Sequence, residues 1–415
     1  MNLTRQDLSI VELAEDKIIN KLNPNSIISI LALRYDVTQK SLLQKLTWKD
    51  FVTKNSKPSL DYIENQILNN ISHNLKDAKH VTIALSGGID STLILALIRK
   101  TLPDITINAI SIKFSQSDDE SKIAKKIAEK FESNHKVVYV ENYFQELPNA
   151  IKTIKSPFWD IHWYYVAKAT KSSKFLVSGD GGDEIFGGYT FRYKNFLDLT
   201  TLNASPLKKI KNYLKCHERD HVSDQNKLFG KKIPFSWKKV YNQLMPFFNN
   251  TLDPLQQVFL ADYNGKLLHN FSLINSRITK KFNLTSITPL LSNELITYAT
   301  HLDPLSKYDA SKNLGKLPLR NLLKNIAPDL KISVEKKGFS INTQTFWKSY
   351  GKQLSKEFLL NSEIVKEGYI NQQWISKYID KNDLSIPIIN KFLGLLSFEI
   401  WHRIFITKNF QYSQL

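Results

Sequence analysis

Two short apolar runs, residues 81–85 and 174–177, each end in a glycine-rich turn that carries acids: Ser86-Gly87-Gly88-Ile89-Asp90-Ser91 after the first and SGDGGDEIFGGY after the second. Each run is too short for a helix and is flanked by turn residues, so each reads as a buried strand. Between them lie a helix over about 91–101, a strand around 107–114, a helix with the stripe Ile123, Ile127, Ala128 and Phe131, a strand over 136–140, and more helix over 142–171. Ahead of them Ile63, Ile67, Leu68 and Ile71 recur at helical spacing. Strands alternating with helices of this length predict right-handed crossovers and a parallel sheet with helices on both faces. Ligands of such sheets bind at the carboxyl ends of the strands, where both turns fall.

Two glycines let a backbone approach an anion closely, and a helix N-terminus offers free N–H donors to phosphate. The first turn is therefore a candidate phosphate cradle, with Ser86 and Ser91 adding hydroxyl donors. It has neither the spacing of the Walker loop nor that of the dinucleotide fingerprint. Asp90 would repel phosphate unless a cation sat between them, and magnesium is the natural bridge. A tight turn with Asp90 as a helix cap is the plain alternative for a lone Ser-Gly-Gly. Its weight falls because the second turn, residues 178–184, sets three acids among three glycines on the same rim. Asp90 and Asp183 can share a magnesium ion, which leaves Asp180 or Glu184 for substrate contact or proton transfer.

With these residues in view, SGGIDS followed by SGDGGDEIFGGY closely resembles the paired signature of the asparagine synthetase family, whose synthetase domain belongs to the PP-loop ATP pyrophosphatase group (adenine nucleotide alpha-hydrolase-like). The resemblance covers roughly 60–415: Pro157 and Asp160, the K-x-x-L-R segment 316–320, and Lys336-Lys337-Gly338-Phe339 fall in the family's order. It implies that ATP adenylates a carboxylate, releasing pyrophosphate, and that an amine then displaces AMP to form an amide. Carried over by motif, Leu85, Ser86, Gly87, Gly88, Asp90, Ser91, Ile112, Ser178 and Gly179 bind ATP and its pyrophosphate. Asp90 and Asp183 match the magnesium-binding acids, Asp180 the acid at the reaction centre, with Glu184 beside it, and Lys336 the lysine that steadies the charged intermediate. Elementary electrostatics supports a lysine there, because both half-reactions build negative charge in their transition states. Its neighbour Lys337 is the alternative for that role.

The resemblance also has gaps. Glutamine-hydrolysing members begin, after Met, with a nucleophilic cysteine on a separate amidotransferase domain. Residue 2 here is Asn2, and no such domain fits before residue 60. Residues 27–51 resemble the tail of that domain, so residues 1–60 read as a short helical remnant, and 61–415 as the ATP-binding domain: an α/β core over 61–195 and a mainly helical part over 196–415. The expected nitrogen source is ammonia or an amine from a partner such as a separate glutaminase subunit. Three motifs depart on the acceptor side: Ser276-Arg277 stands for D-R, residues 287–292 (ITPLLS) for R-x-P-F-L-D, and Val334-Glu335-Lys336 for R-x-K. Aspartate is thus the first candidate substrate, with its recognition in question.

Composition adds limits. No apolar run approaches the ~20 residues needed to span a bilayer, which predicts a soluble, cytoplasmic protein with no membrane partner. A single cysteine, Cys216, excludes an internal disulfide. The formal charge of +18 is concentrated beyond residue 200, and residues 207–239 interleave lysines with Tyr213, Phe229, Phe235 and Trp237. A solvated face with aromatic anchors accounts for that stretch, and nucleic acid is not an expected partner. Cys216, His217, Asp220 and His221 have the spacing of metal ligands but no supporting cluster, and His135 reads as structural. The rival functions are an adenylating cyclase of the β-lactam or lasso-peptide type, a PP-loop tRNA-modifying enzyme, and a non-catalytic nucleotide-binding subunit.

Overall fold

A computed structural model describes residues 23–115, 121–217, 221–330 and 342–411. Its centre is a five-stranded, all-parallel sheet in the order β3-β2-β1-β4-β5. The strands are β1 (His80–Ala84), β2 (Thr106–Phe114), β3 (Asn134–Val140), β4 (Phe175–Val177) and β5 (Thr285–Ile287). β1 is buried at four of its five positions, as a strand covered on both faces requires. The register pairs Ala84 with Ile110, Ile83 with Val177, and Val177 with Ile287.

The strand order fixes where the helices go. Helices α1 (Pro24–Leu33) and α2 (Leu60–Leu75) precede the sheet. α3 (Ile89–Thr101) and α4 (Ser121–Lys130) carry the chain from β1 through β2 to β3. The return to β4 runs through α5 (Leu147–Ile154) and α6 (His162–Ala169), and right-handed crossovers put these on the opposite face. The direction of winding therefore reverses between β1 and β4, which opens a crevice beyond their carboxyl ends. Both glycine-rich turns start there.

Four strands and the alternating pattern match the sequence reading. The fifth strand lies inside the part read as mainly helical; β5 is three residues long and buried only at Ile287, too short to show a period. The stretch read as helix over 142–171 is broken between α5 and α6. Lys155 adopts φ +59° at the end of α5, and Pro157 disfavours helical backbone at Ser156. In α4 the buried stripe is Ala124, Ile127 and Ala128; Ile123 is 44% exposed and lies over the first turn.

The later chain is mainly helical and contains a short two-stranded ribbon, β6 (Tyr308–Asp309) and β7 (Leu314–Gly315), set among the helices that matter most here. Among these, α7 (Ser272–Lys281) leads into β5, α8 (Leu317–Ile326) packs on α3, and α9 (Ile386–Phe405) is buried from Ile389 to His402. α1 is buried from Ile27 to Leu33 and packs against α9, whose Lys391 ammonium donates to the Leu31 carbonyl. Arg34, next to α1, reaches Asp160 at 2.6 Å. Among the described residues no helix is long and apolar enough to cross a membrane.

Candidate active site

The first turn is shaped by Gly87, whose φ of +74° favours glycine. Gly88 caps α3 with no side-chain cap bond, so the first N–H groups of the helix are not closed off by a cap. Ser86 and Ser91 lie hydroxyl to hydroxyl at 3.2 Å, and Ser91 Oγ also receives the Ser86 N–H. Leu85 beneath them is fixed on both sides: its N–H donates to Ile110, and its carbonyl accepts from the Ser111 hydroxyl at 2.7 Å. That hydroxyl spends its one proton on Leu85, so His135 Nε2, 2.8 Å away, is the donor to Ser111. Burial lowers the His135 pKa, and its structural role matches the sequence reading. Ile112 follows on β2, opposite Val138.

The second turn packs directly on the first. A methyl group on Gly179 would lie 2.7 Å from Asp90 Cβ, and one on Gly182 would lie 2.5 Å from Asp90 Oδ1. Only glycine allows that approach. Asp90 and Asp183, from the two turns, then meet at one ammonium: Lys316 donates to Asp90 Oδ2 and lies 2.8 Å from Asp183 Oδ1. The side chain of Lys316 is 3% exposed, those of Asp90 and Asp183 12% and 15%. Lys316 precedes α8 in a left-handed conformation, φ +58°, with its N–H on the Phe186 carbonyl. Such backbone is uncommon outside glycine and concentrates at functional sites. Arg320, one turn on, donates to the Gly315 carbonyl; burial lowers its pKa and Asp90 opposes the shift.

Sequence reasoning gave Lys316 no chemical role. The K-x-x-L-R segment marked only the order of motifs, although Gly315 and Pro318 on either side signal an irregular turn rather than a solvated helix face.

The remaining candidates separate by environment. Asp180 is partly exposed and accepts hydrogen bonds on Oδ2 from Ser178 Oγ at 2.9 Å and Asn275 Nδ2 at 2.8 Å. Glu184 is 2% exposed and accepts from the Tyr189 hydroxyl. Burial, then the charge of Asp183, pushes its carboxyl up to about 7. Tyr189 stacks on Arg192, 3.9 Å from guanidinium to ring centroid, and Arg192 pairs with buried Asp262. Lys336 and Lys337, with Val334 and Glu335, lie outside the described residues.

Elsewhere, His217 is engaged by the Tyr213 carbonyl and Arg192, His221 stacks on Trp237, and Cys216 is buried; Asp220 lies outside the described residues. No group of three His, Cys, Asp or Glu side chains that could hold a metal occurs among the described residues. In the basic stretch Phe229 stacks on Phe235, and Trp237 packs edge-on to Phe235, so these rings anchor the segment to itself. Ser276 and Arg277 sit inside α7, with Arg277 donating to the Ile154 carbonyl and to Gln39. Ser292 accepts from the Leu295 N–H and so caps the next helix, a task serine and aspartate do equally well.

The fit of magnesium can be judged from Asp90. Its Oδ1 is buried and has no hydrogen-bond partner among the described residues, a costly state for a carboxylate oxygen. An oxygen of that kind beside a second carboxylate suits a cation that binds through one or two carboxylates and completes its shell with phosphate. Asp90 and Asp183 therefore fit magnesium held together with a phosphate group.

The asparagine synthase family model matches residues 63–403. Among curated proteins the chain is similar to glutamine-hydrolyzing asparagine synthetase 1 of Bacillus subtilis, at 24% identity over 89% of this chain and 64% of that protein. It is also similar to a putative glutamine-hydrolyzing asparagine synthetase of Mycobacterium bovis, at 24% over 79% and 56%. A putative glutamine-hydrolyzing asparagine synthetase 2 of Methanocaldococcus jannaschii is 33% identical over 25% of this chain and 22% of that one. The chain spans less than two thirds of the length of these relatives. With the two glycine-rich turns meeting at one rim and the family match running through nearly all of the described fold, the chain belongs to the asparagine synthase family.

Proposed function

We propose that this chain is an ATP-dependent, amide-forming ligase that adenylates a carboxylate, releases pyrophosphate and lets an amine displace AMP. The observation that carries the reading is the buried ammonium of Lys316 between Asp90 and Asp183, under two glycine-rich turns at the reversal point of a parallel sheet. Two acids and a lysine in one water-poor crevice suit a phosphate chain with its cation.

In this reading Ser86, Gly87, Gly88 and Ser91 hold the phosphates through N–H and hydroxyl groups, while Leu85, Ile112, Ser178 and Gly179 line the nucleotide. Asp90 and Asp183 hold magnesium, which supplies charge neutralisation to the leaving pyrophosphate. Lys316 supplies positive charge to the same oxygens. Asp180 takes a proton from the attacking amine on a carboxylate oxygen. Glu184, buried and protonated over part of the neutral range, supports the second turn through Tyr189 rather than touching substrate. Lys336, carried over from the family motif, stabilises the charge that builds at the acyl group.

Aspartate, giving asparagine, is the first substrate to test, in a cytoplasmic setting with ammonia or a partner-delivered amine as the nitrogen source. Ser276, Ile287 and Ser292 stand where the family motifs carry charge, so other carboxylates belong in the same screen. The test is exchange of radiolabelled pyrophosphate into ATP across a panel of carboxylic acids with magnesium. Exchange that depends on one acid supports the reading and names the substrate; exchange with none of them sinks it.

A further inference from the structure

We infer that Asn275 is a positioning residue for the reaction proposed above: its side-chain amide, with the Ser178 hydroxyl, holds the Asp180 carboxylate in one orientation on the turn that borders the crevice. The inference rests on that reading for what Asp180 does, and on the geometry alone for how it is held.

Both donors converge on a single oxygen, Asp180 Oδ2, Asn275 Nδ2 from 2.8 Å and Ser178 Oγ from 2.9 Å. They come from different parts of the chain. Ser178 is on the turn itself, with its N–H on the Ile287 carbonyl of β5, while Asn275, on α7, lies ninety-five positions from Asp180. Asn275 is 8% exposed. A buried amide in the interior of a helix is unfavourable, because asparagine is a weak helix former and an unpaired amide costs ~1–3 kcal/mol in lost hydration. A charge-assisted bond to a carboxylate offsets that cost.

The donor also stands on a fixed base. Two residues on, Arg277 ties α7 to the Ile154 carbonyl at the end of α5, and the Thr279 hydroxyl donates to the Asn275 carbonyl. Asn275 therefore refers the orientation of Asp180 to the packed α5–α7 layer instead of to the turn. A carboxylate that must meet an amine at one angle needs such a reference, since small misplacements of a proton acceptor cost large factors in rate.

The chemistry separates this role from a general packing role. Adenylation asks nothing of a proton acceptor for the amine; displacement of AMP does. Asn275→Leu keeps the volume and removes both donors. The expected result is unchanged acid-dependent pyrophosphate exchange and KM for ATP, each within about twofold, with kcat for amide formation down about tenfold or more. A uniform loss in both half-reactions, or no loss in either, would overturn the inference.

A second measurement needs no turnover. In nitrogen-15 spectra the Asn275 side-chain amide, assigned by its absence in Asn275→Leu, is expected downfield of free amides and to return toward them in Asp180→Ala. Resonances that stay in place in Asp180→Ala would show that the bond does not exist. A wild-type chain that exchanges pyrophosphate with no acid overturns the functional reading instead, and the resonances then decide by themselves whether Asn275 holds Asp180.

Discussion

Gly182 approaches Asp90 so closely that a single methyl group at its Cα would lie 2.5 Å from the carboxylate oxygen Oδ1. The two glycine-rich turns are in contact through this pair, and the separation of the loops is set by the absence of a side chain. Gly182→Ala is expected to cost about 1–3 kcal/mol, the usual penalty for overpacking a close contact. Gly88→Ala, where a methyl would meet only Ser86 Oγ at 3.3 Å, is expected to cost less. Paired urea melts of the two variants decide the point; equal losses would mean that the turns separate freely.

The buried group of three charges makes a second prediction. Lys316→Met removes the ammonium that Asp90 and Asp183 share, and a broken buried pair costs on the order of 3–5 kcal/mol. Asp90→Asn and Asp183→Asn each remove one negative charge and keep the volume, so they are expected to stay folded while losing magnesium-dependent pyrophosphate release. Near-normal release from either Asn variant would contradict the placement of the metal.

Lys307 carries a pH dependence whose sign is fixed by burial. Its side chain is 1% exposed and donates to the Ala299 carbonyl, and desolvation lowers its pKa from 10.5 to about 7, with Asp303 opposing. Between these values the unfolded chain binds the proton and the folded chain does not, so stability rises with pH across about 7 to 10.5 and the cost is fully present below 7. Lys307→Met is expected to stabilise the fold at pH 7 and below, on the order of 5 kcal/mol, and to flatten the slope above 7. Denaturant midpoints at pH 6.5 and 9 test it, and a slope that survives in the variant would refute the assignment.

Ser292 gives a smaller, cleaner test. Its hydroxyl accepts the Leu295 N–H, so Ser292→Ala is expected to lose about 0.5–2 kcal/mol and Ser292→Asp almost nothing. Stability that is indifferent to both changes would mean that the cap contributes nothing.

Lys336 and Lys337 are separated by kinetics. Lys336→Ala is expected to leave ATP binding nearly intact and to cut turnover by on the order of 100-fold, as loss of a contact made in the transition state does, while Lys337→Ala is nearly neutral. The reverse order would shift the alignment of this segment by one residue.

Much of this was legible in the chain because the relevant signals are local. β1 and β4 are short apolar runs closed by glycine-rich turns, β2 and β3 carry short β-branched stretches between helical patterns, and the two glycine-rich turns carry their acids within a few positions of a strand end. β5 escaped because Thr285–Ile287 has no room for a pattern. Ile123 was assigned to the buried stripe of α4 since helical period alone cannot tell a core face from the rim of a crevice. Lys316 and Asn275 were invisible as chemistry for another reason: their partners are far away in sequence, and a lysine or an asparagine in isolation reads as solvated.

The bond from Lys316 to Asp90 joins residues 226 positions apart, which makes the crevice a late product of synthesis. A nascent chain that has made both glycine-rich turns still lacks β5, which pairs beside the second of them, and the ammonium that neutralises their carboxylates. Such a chain holds two clustered negative charges, which on the function proposed above repel a phosphate group. On the function proposed above, nucleotide capture waits on the ribbon that delivers Lys316, and chains truncated before it are expected not to bind ATP.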